Sequence, residues 1–101
     1  MDLSQEEWTS KQKEFSNYLI LDVRTKDEYE EKHIPNSKLL DINSPSDFLN
    51  GIETMDKNKT YFIYCRSGNR SSRACDVMSS LGFEKTYNLV GGILDWKGLT
   101  E

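Results

Sequence analysis

What this 101-residue chain has little of narrows its possibilities first. It holds two cysteines, Cys65 and Cys75, two prolines and one histidine, His33. Two cysteines make a poor disulfide scaffold. With the acidic, polar start Met1-Asp2-Leu3-Ser4-Gln5-Glu6-Glu7 giving no export signal, they read as free thiols in the cytoplasm. No apolar run approaches the roughly 20 residues of a membrane span, so no membrane partner is expected. Basic charge is not in excess: 13 Lys and Arg face 17 Asp and Glu, for a net charge of −4, and no basic field invites nucleic acid. Both signs are mixed along the chain, which suits a soluble surface. The length suffices for one core, and no repeat, low-complexity tract or internal boundary divides it. Residues 1–101 are therefore expected to form one domain, and a monomer.

What is present alternates between strand and helix signals. Ser4-Gln5-Glu6-Glu7 is a capping box and predicts a polar helix of about ten residues, pinned to the core by Trp8 and Phe15 on one face. Tyr18 to Val23 is apolar almost without alternation, as in a strand covered on both faces. Thr25-Lys26-Asp27-Glu28 is a second capping box, opening a short helix toward Lys32. Ile34-Pro35-Asn36 is a turn, and Ser37 to Leu40 a short strand. Ser44-Pro45-Ser46-Asp47 starts a third helix, with Gly51 expected to interrupt it. Tyr61 to Tyr64 is the next buried strand. Ala74, Val77, Met78 and Leu81 then fall at i, i+3, i+4 and i+7, an amphipathic helix closed by Gly82. Phe83 to Leu89 holds the last strand, and Gly91-Gly92 turns into a short helix with Ile93 and Trp96. The pattern predicts an α/β domain with a small, mainly parallel sheet and helices on both faces.

The chemistry concentrates in Cys65-Arg66-Ser67-Gly68-Asn69-Arg70-Ser71. A buried strand ends at the cysteine, a tight basic loop follows, and a helix begins. In open α/β sheets ligands bind beyond the carboxyl ends of the strands. Gly68 takes positive φ freely and Asn69 tolerates it, so the loop can curl its N–H groups inward as an anion nest. The helix N-terminus adds unpaired N–H groups, and Arg66 and Arg70 add positive charge. A free cysteine, with a pKa of about 8.5, is only a few per cent thiolate at neutral pH. Lowering that pKa by about two requires roughly 2.7 kcal/mol of preferential anion stabilisation. A partly buried helix terminus supplies up to about 2 kcal/mol, and the loop amides with one arginine supply the rest. Cys65 is thus the expected nucleophile, against the plainer reading of a small buried hydrophobe. Cys75 lies beside the apolar stripe and is expected to be structural rather than a resolving thiol.

Beyond the loop, Leu21-Asp22-Val23-Arg24 with Glu28-Tyr29, His33-Ile34-Pro35-Asn36-Ser37, Leu81-Gly82-Phe83 and Asn88-Leu89-Val90-Gly91-Gly92-Ile93 with Trp96 stand in order. Together with the cysteine loop, these blocks resemble the single-domain rhodaneses, the thiosulfate sulfurtransferase family. The resemblance runs from about residue 18 to the end. It implies the rhodanese-like fold, with Cys65 as catalytic sulfur acceptor and Arg66, Ser67, Gly68, Asn69, Arg70 and Ser71 as the substrate-binding loop. It also implies a small anionic sulfur donor such as thiosulfate, a thiol or cyanide acceptor (a protein thiol among them), and a Cys65 persulfide between the two half-reactions. No metal and no organic cofactor is implied.

Two other readings stand beside this one. Cysteine-type phosphatases also use a thiolate in an anion-binding loop ending in arginine, but their loop is Cys-x5-Arg with a preceding histidine. Here it is Cys-x4-Arg, preceded by Tyr64, a narrower cradle. The same fold also serves non-catalytic binding or regulatory modules, which an intact cysteine loop disfavours. His33 is expected in a structural hydrogen bond, Asp22 and Arg24 as a pair bracing the strand end, and Trp96 in the core.

Overall fold

The unalternated runs become central strands because only a sheet covered on both faces can bury them. The computed structural model describes residues 1–101. It orders the chain as β1 (Asp2–Leu3), α1 (Gln5–Gln12), β2 (Tyr18–Asp22), α2 (Lys26–Glu31), β3 (Ser37–Leu39), α3 (Pro45–Glu53), β4 (Thr60–Tyr64), α4 (Asn69–Ser80), β5 (Lys85–Leu89) and a 3₁₀ turn (Ile93–Asp95). All pairings are parallel, in the order β1-β5-β4-β2-β3. The α/β architecture expected from the alternation is the one that forms. No helix is long and apolar enough to cross a membrane.

The two faces of the sheet carry separate cores. Strand β4 is buried along its whole length. By its period of two, Tyr61 and Ile63, with Cys65 beyond its end, face one side, while Phe62 and Tyr64 face the other. The first side packs with Phe48 and Ile52 of α3 and Ala74, Cys75 and Met78 of α4. The second side gathers Leu3, Trp8, Ile20, Ile34, Leu89 and Ile93. Cys65 therefore stands at the carboxyl end of the central strand, walled by α4.

Local signals set most boundaries. In α1 the Ser4 hydroxyl accepts from Glu7 N–H at 3.2 Å, and Glu7 Oε1 accepts from Ser4 N–H at 3.0 Å. Thr25 and Glu28 repeat this box at α2, at 3.3 and 3.1 Å. Asn36 takes φ +67 in its turn, and Gly82 takes φ +99 after α4.

Three expectations need correction, and one strand has no counterpart in the sequence reading. Helix α1 has eight residues, so Phe15 lies past its end; it still packs against Phe62, with ring centroids 6.4 Å apart. Gly51 does not interrupt α3 but sits inside it, because Leu40 packs where a Cβ would stand. Leu81 caps α4 at 40% exposure and leaves the stripe, whose buried members are Ala74, Cys75 and Met78. Strand β1 carries no pattern of its own: two residues take strand geometry only because β5 offers a free edge.

Trp8 fixes α1 to the sheet. It is fully buried, its ring meets Phe62 and Trp96 edge-on at 5.7 Å, and its Nε1–H donates to Tyr87 O at 3.1 Å. Trp8→Ala is expected to lower unfolding free energy by about 3–5 kcal/mol, read from urea denaturation.

Candidate active site

The thiol is positioned by a strand that ends and a helix that begins. Cys65 is 1% exposed. Gly68, at φ +108, reverses the chain into α4, a conformation that a side chain would strain. Its N–H donates to Cys65 Sγ at 3.1 Å, and the Ser71 hydroxyl lies 3.3 Å from the same sulfur. Burial opposes ionisation of this thiol more than any other single influence. Hydrogen bonds from the Ser71 hydroxyl and from the N–H groups of Ser71, Gly68 and Ser67 outweigh it together, and the pKa falls below that of a free cysteine. At Cys75 burial outweighs the one hydrogen bond from the Thr86 hydroxyl and pushes the thiol up to about 11.

The amides face the sulfur because the carbonyls are held away from it. Ile93 N–H donates to Cys65 O and Leu94 N–H to Arg66 O, both at 3.0 Å. In a planar trans peptide C=O and N–H point in opposite directions. Fixing the Arg66 carbonyl therefore aims Ser67 N–H, and fixing the Cys65 carbonyl aims Arg66 N–H, away from the 3₁₀ turn. Gly92 makes this contact possible: at φ +59, any Cβ on it would overlap the carbonyls of Cys65 and Arg66. The sequence marked Gly91-Gly92 as a turn and gave no hint of what it touches.

The charges divide unequally. Arg70 is held by Glu28 through two hydrogen bonds of 2.8 and 2.9 Å, whereas Arg66 is exposed and enters none of the ion pairs. The structure thus brings Arg66, Ser67, Gly68 and Ser71 around the sulfur or its mouth, leaves Asn69 exposed at the start of α4, and ties Arg70 to α2. Beside the loop lies a cleft of about 280 Å³, lined in part by Arg24, Glu28, Glu31, Lys32, Arg66 and Leu94.

The remaining polar residues are structural. Asp22 and Arg24 form a buried pair at 2.6 Å, and Arg24 also donates to Lys32 O at 2.7 Å, bracing the end of β2. His33 Nδ1 donates to Tyr29 O at 2.8 Å, and its ring stacks on Tyr29. Trp96 is half-buried, with Nε1–H on Leu99 O at 3.0 Å. Glu28, Asn88 and Gly92 are neighbours of the loop that sequence reasoning missed as such. Asn88 alone left a signal, an amide set between Tyr87 and Leu89 in a strand.

The Glu28–Arg70 pair has a pH signature. Hydrogen bonding from Arg70 lowers the Glu28 carboxyl from 4.5 to about 2. Because the folded-state pKa is depressed, the stabilisation is fully present above about 4.5 and is lost as pH falls through about 2. Both side chains are about one-quarter exposed, so it is on the order of 1 kcal/mol. Glu28→Gln is expected to be less stable than wild type at pH 7, with the gap closing toward pH 2 in denaturant titrations across that range.

YrkF of Bacillus subtilis, provisionally named a sulfur carrier protein, is 39% identical over 82 residues, which are 81% of this chain and 43% of YrkF. The chain therefore spans less than half of that relative. The thiosulfate sulfurtransferase GlpE of Coxiella burnetii is 35% identical over 79 residues, 78% of this chain and 71% of GlpE. The crystal structure of a rhodanese-like domain protein from Staphylococcus aureus superposes with a TM-score of 0.77 at 31% identity, covering 97% of this chain and 94% of the other. The family model for the rhodanese-like domain matches residues 5–99, nearly the whole chain and every element that frames Cys65, so the protein belongs to the rhodanese-like domain family.

Proposed function

We propose that this protein is a sulfurtransferase that carries a sulfane sulfur on Cys65. One observation carries the reading: a buried sulfur at a strand end, faced by Gly68 N–H and the Ser71 hydroxyl, with no basic side chain positioned to deprotonate it. Surroundings that favour the thiolate over the thiol take over part of the work of a general base.

The first half-reaction starts from the Cys65 thiolate and a donor such as thiosulfate. Sγ attacks the outer sulfur, a new S–S bond forms, the donor's own S–S bond breaks, and sulfite leaves with the electron pair. The outer sulfur of the resulting persulfide then carries the negative charge among the amides of Ser67, Gly68 and Ser71. These stabilise it as an oxyanion hole stabilises a developing O⁻. In the second half-reaction a thiolate or cyanide attacks that sulfur, and the Cys65 thiolate is the leaving group. GlpE and YrkF, by name a thiosulfate sulfurtransferase and a provisional sulfur carrier, support both halves.

The structure changes the division of labour expected of the two loop arginines. Arg66, unpaired at the mouth, is the group that draws in the anionic donor; Arg70 spends its guanidinium on Glu28. The same pairing weighs against phosphatase chemistry, in which the arginine closing the loop has to grip a phosphoryl group.

Incubation with thiosulfate is expected to add one sulfur atom to the intact mass, mapped to Cys65. Cys65→Ser should abolish both that gain and thiocyanate production from cyanide. Persistent thiocyanate production in Cys65→Ser would remove Cys65 from the mechanism. Arg66→Ala is expected to raise KM for thiosulfate by about tenfold with kcat nearly unchanged, as for lost ground-state attraction. Steady-state kinetics against Arg70→Ala test whether Arg66 is the recruiting cation.

A further inference from the structure

Asn88 is a buried amide in β5, 3% exposed, and both of its polar atoms are engaged. Nδ2 donates to Asp2 Oδ1 at 2.9 Å and to Gly68 O at 3.2 Å, while Oδ1 accepts from the Ser71 hydroxyl. Turning the amide over would set its oxygen against two acceptors, so only one orientation satisfies the network. Ser71 is also fully buried. Its hydroxyl has one hydrogen and two acceptors within reach, Asn88 Oδ1 and Cys65 Sγ, the latter at 3.3 Å.

The state of the sulfur decides which acceptor receives that hydrogen. A protonated Cys65 donates S–H to Ser71 Oγ, and Ser71 donates onward to Asn88. A thiolate accepts only, so the hydroxyl rotates to it and leaves Asn88 Oδ1 buried without a donor. The thiol proton leaves to water, and no covalent bond of Ser71 breaks. In a persulfide the charge moves to the outer sulfur, the inner sulfur is neutral, and the hydroxyl returns to Asn88.

We propose that Asn88 is a positioning residue of the sulfur site, holding the Ser71 hydroxyl on a swivel between Cys65 Sγ and its own amide oxygen, with Asp2 and Gly68 fixing that amide. The inference rests on Cys65 as the sulfur-carrying nucleophile. Ser71 favours the thiolate, and Asn88 competes for the same hydrogen, favouring the thiol and the persulfide. The two residues therefore act in opposite directions, which a merely structural pair would not do.

The pH dependence of Cys65 alkylation by iodoacetamide tests this, with the modified site mapped by peptide mass spectrometry to separate it from Cys75. Ser71→Ala is expected to move the midpoint up by about one pH unit, a tenfold change in thiolate at a given pH below it. Ser71→Thr, which keeps the hydroxyl, should stay near wild type. Asn88→Leu should move the midpoint down by about half a unit, and this shift should vanish in the Ser71→Ala background. The surrounding charges are Arg66 of the loop, Arg70 of α4, Asp22 and Arg24 at the end of β2, Glu28 of α2, Asp2 of β1 and Asp95 of the 3₁₀ turn. None is altered in these variants, so their effect cancels in the cycle. An unchanged or raised midpoint in Asn88→Leu, or the same shift with and without the Ser71 hydroxyl, overturns the proposal. If Asn88→Leu is not folded by circular dichroism, the same cycle is run with Asn88→Ala, which removes the amide and alters no charge; a shift independent of Ser71 then overturns it. Alkylation needs no sulfur donor, so failure of wild-type Cys65 to take up sulfur and failure of this cycle are separate results.

Discussion

The hydrogen bonds from Ile93 and Leu94 to the carbonyls of Cys65 and Arg66 are the constraint on which the site depends. A loop of seven residues has as many carbonyls as amides, and left alone it presents both to whatever it surrounds. The 3₁₀ turn takes up two carbonyls on the outside, and peptide planarity does the rest. The proposed persulfide pocket is in this sense made by two segments well separated in sequence. The Gly91-Gly92 turn brings them together because Gly92 has no side chain to keep them apart.

In the proposed mechanism, dipoles rather than full charges hold the anion. Fixed N–H and O–H groups in a buried setting stabilise negative sulfur without adding a formal charge to the interior. The nearest arginines are used otherwise: Arg24 is spent on Asp22 in the frame, Arg70 on Glu28, and Arg66 faces the entrance. In the proposed cycle, this separation leaves the approach of an anionic donor to one exposed guanidinium. It also accounts for the absence of work for His33, whose ring is committed to Tyr29.

The sequence made the frame legible and the cross-links illegible. Both capping boxes, the two unalternated strands, the α4 stripe and the strand–cysteine–loop–helix junction follow from local rules, and each appears where those rules put it, within a residue or two. Leu81 and Gly51 departed from the local reading because tertiary neighbours decided them: the end of a helix in one case, the Leu40 side chain in the other. Strand β1 forms because an edge was waiting. The Arg70–Glu28 pair spans 42 residues and the Asn88–Asp2 contact 86, and no periodicity carries information across such distances. Arg70 is such a case: nothing near it in the chain announced the Glu28 carboxylate that it pairs with.

The outer strands deserve a last thought for how short they are. β1 has two residues and β3 has three, while the three between them have five each. A parallel sheet invites foreign chains to add on at its margins, and long flat margins are where fibrils and swapped assemblies start. Margins this brief offer too few free amides to template another strand. The most β-prone stretches, β2 and β4, lie inside those margins with both of their edges already paired.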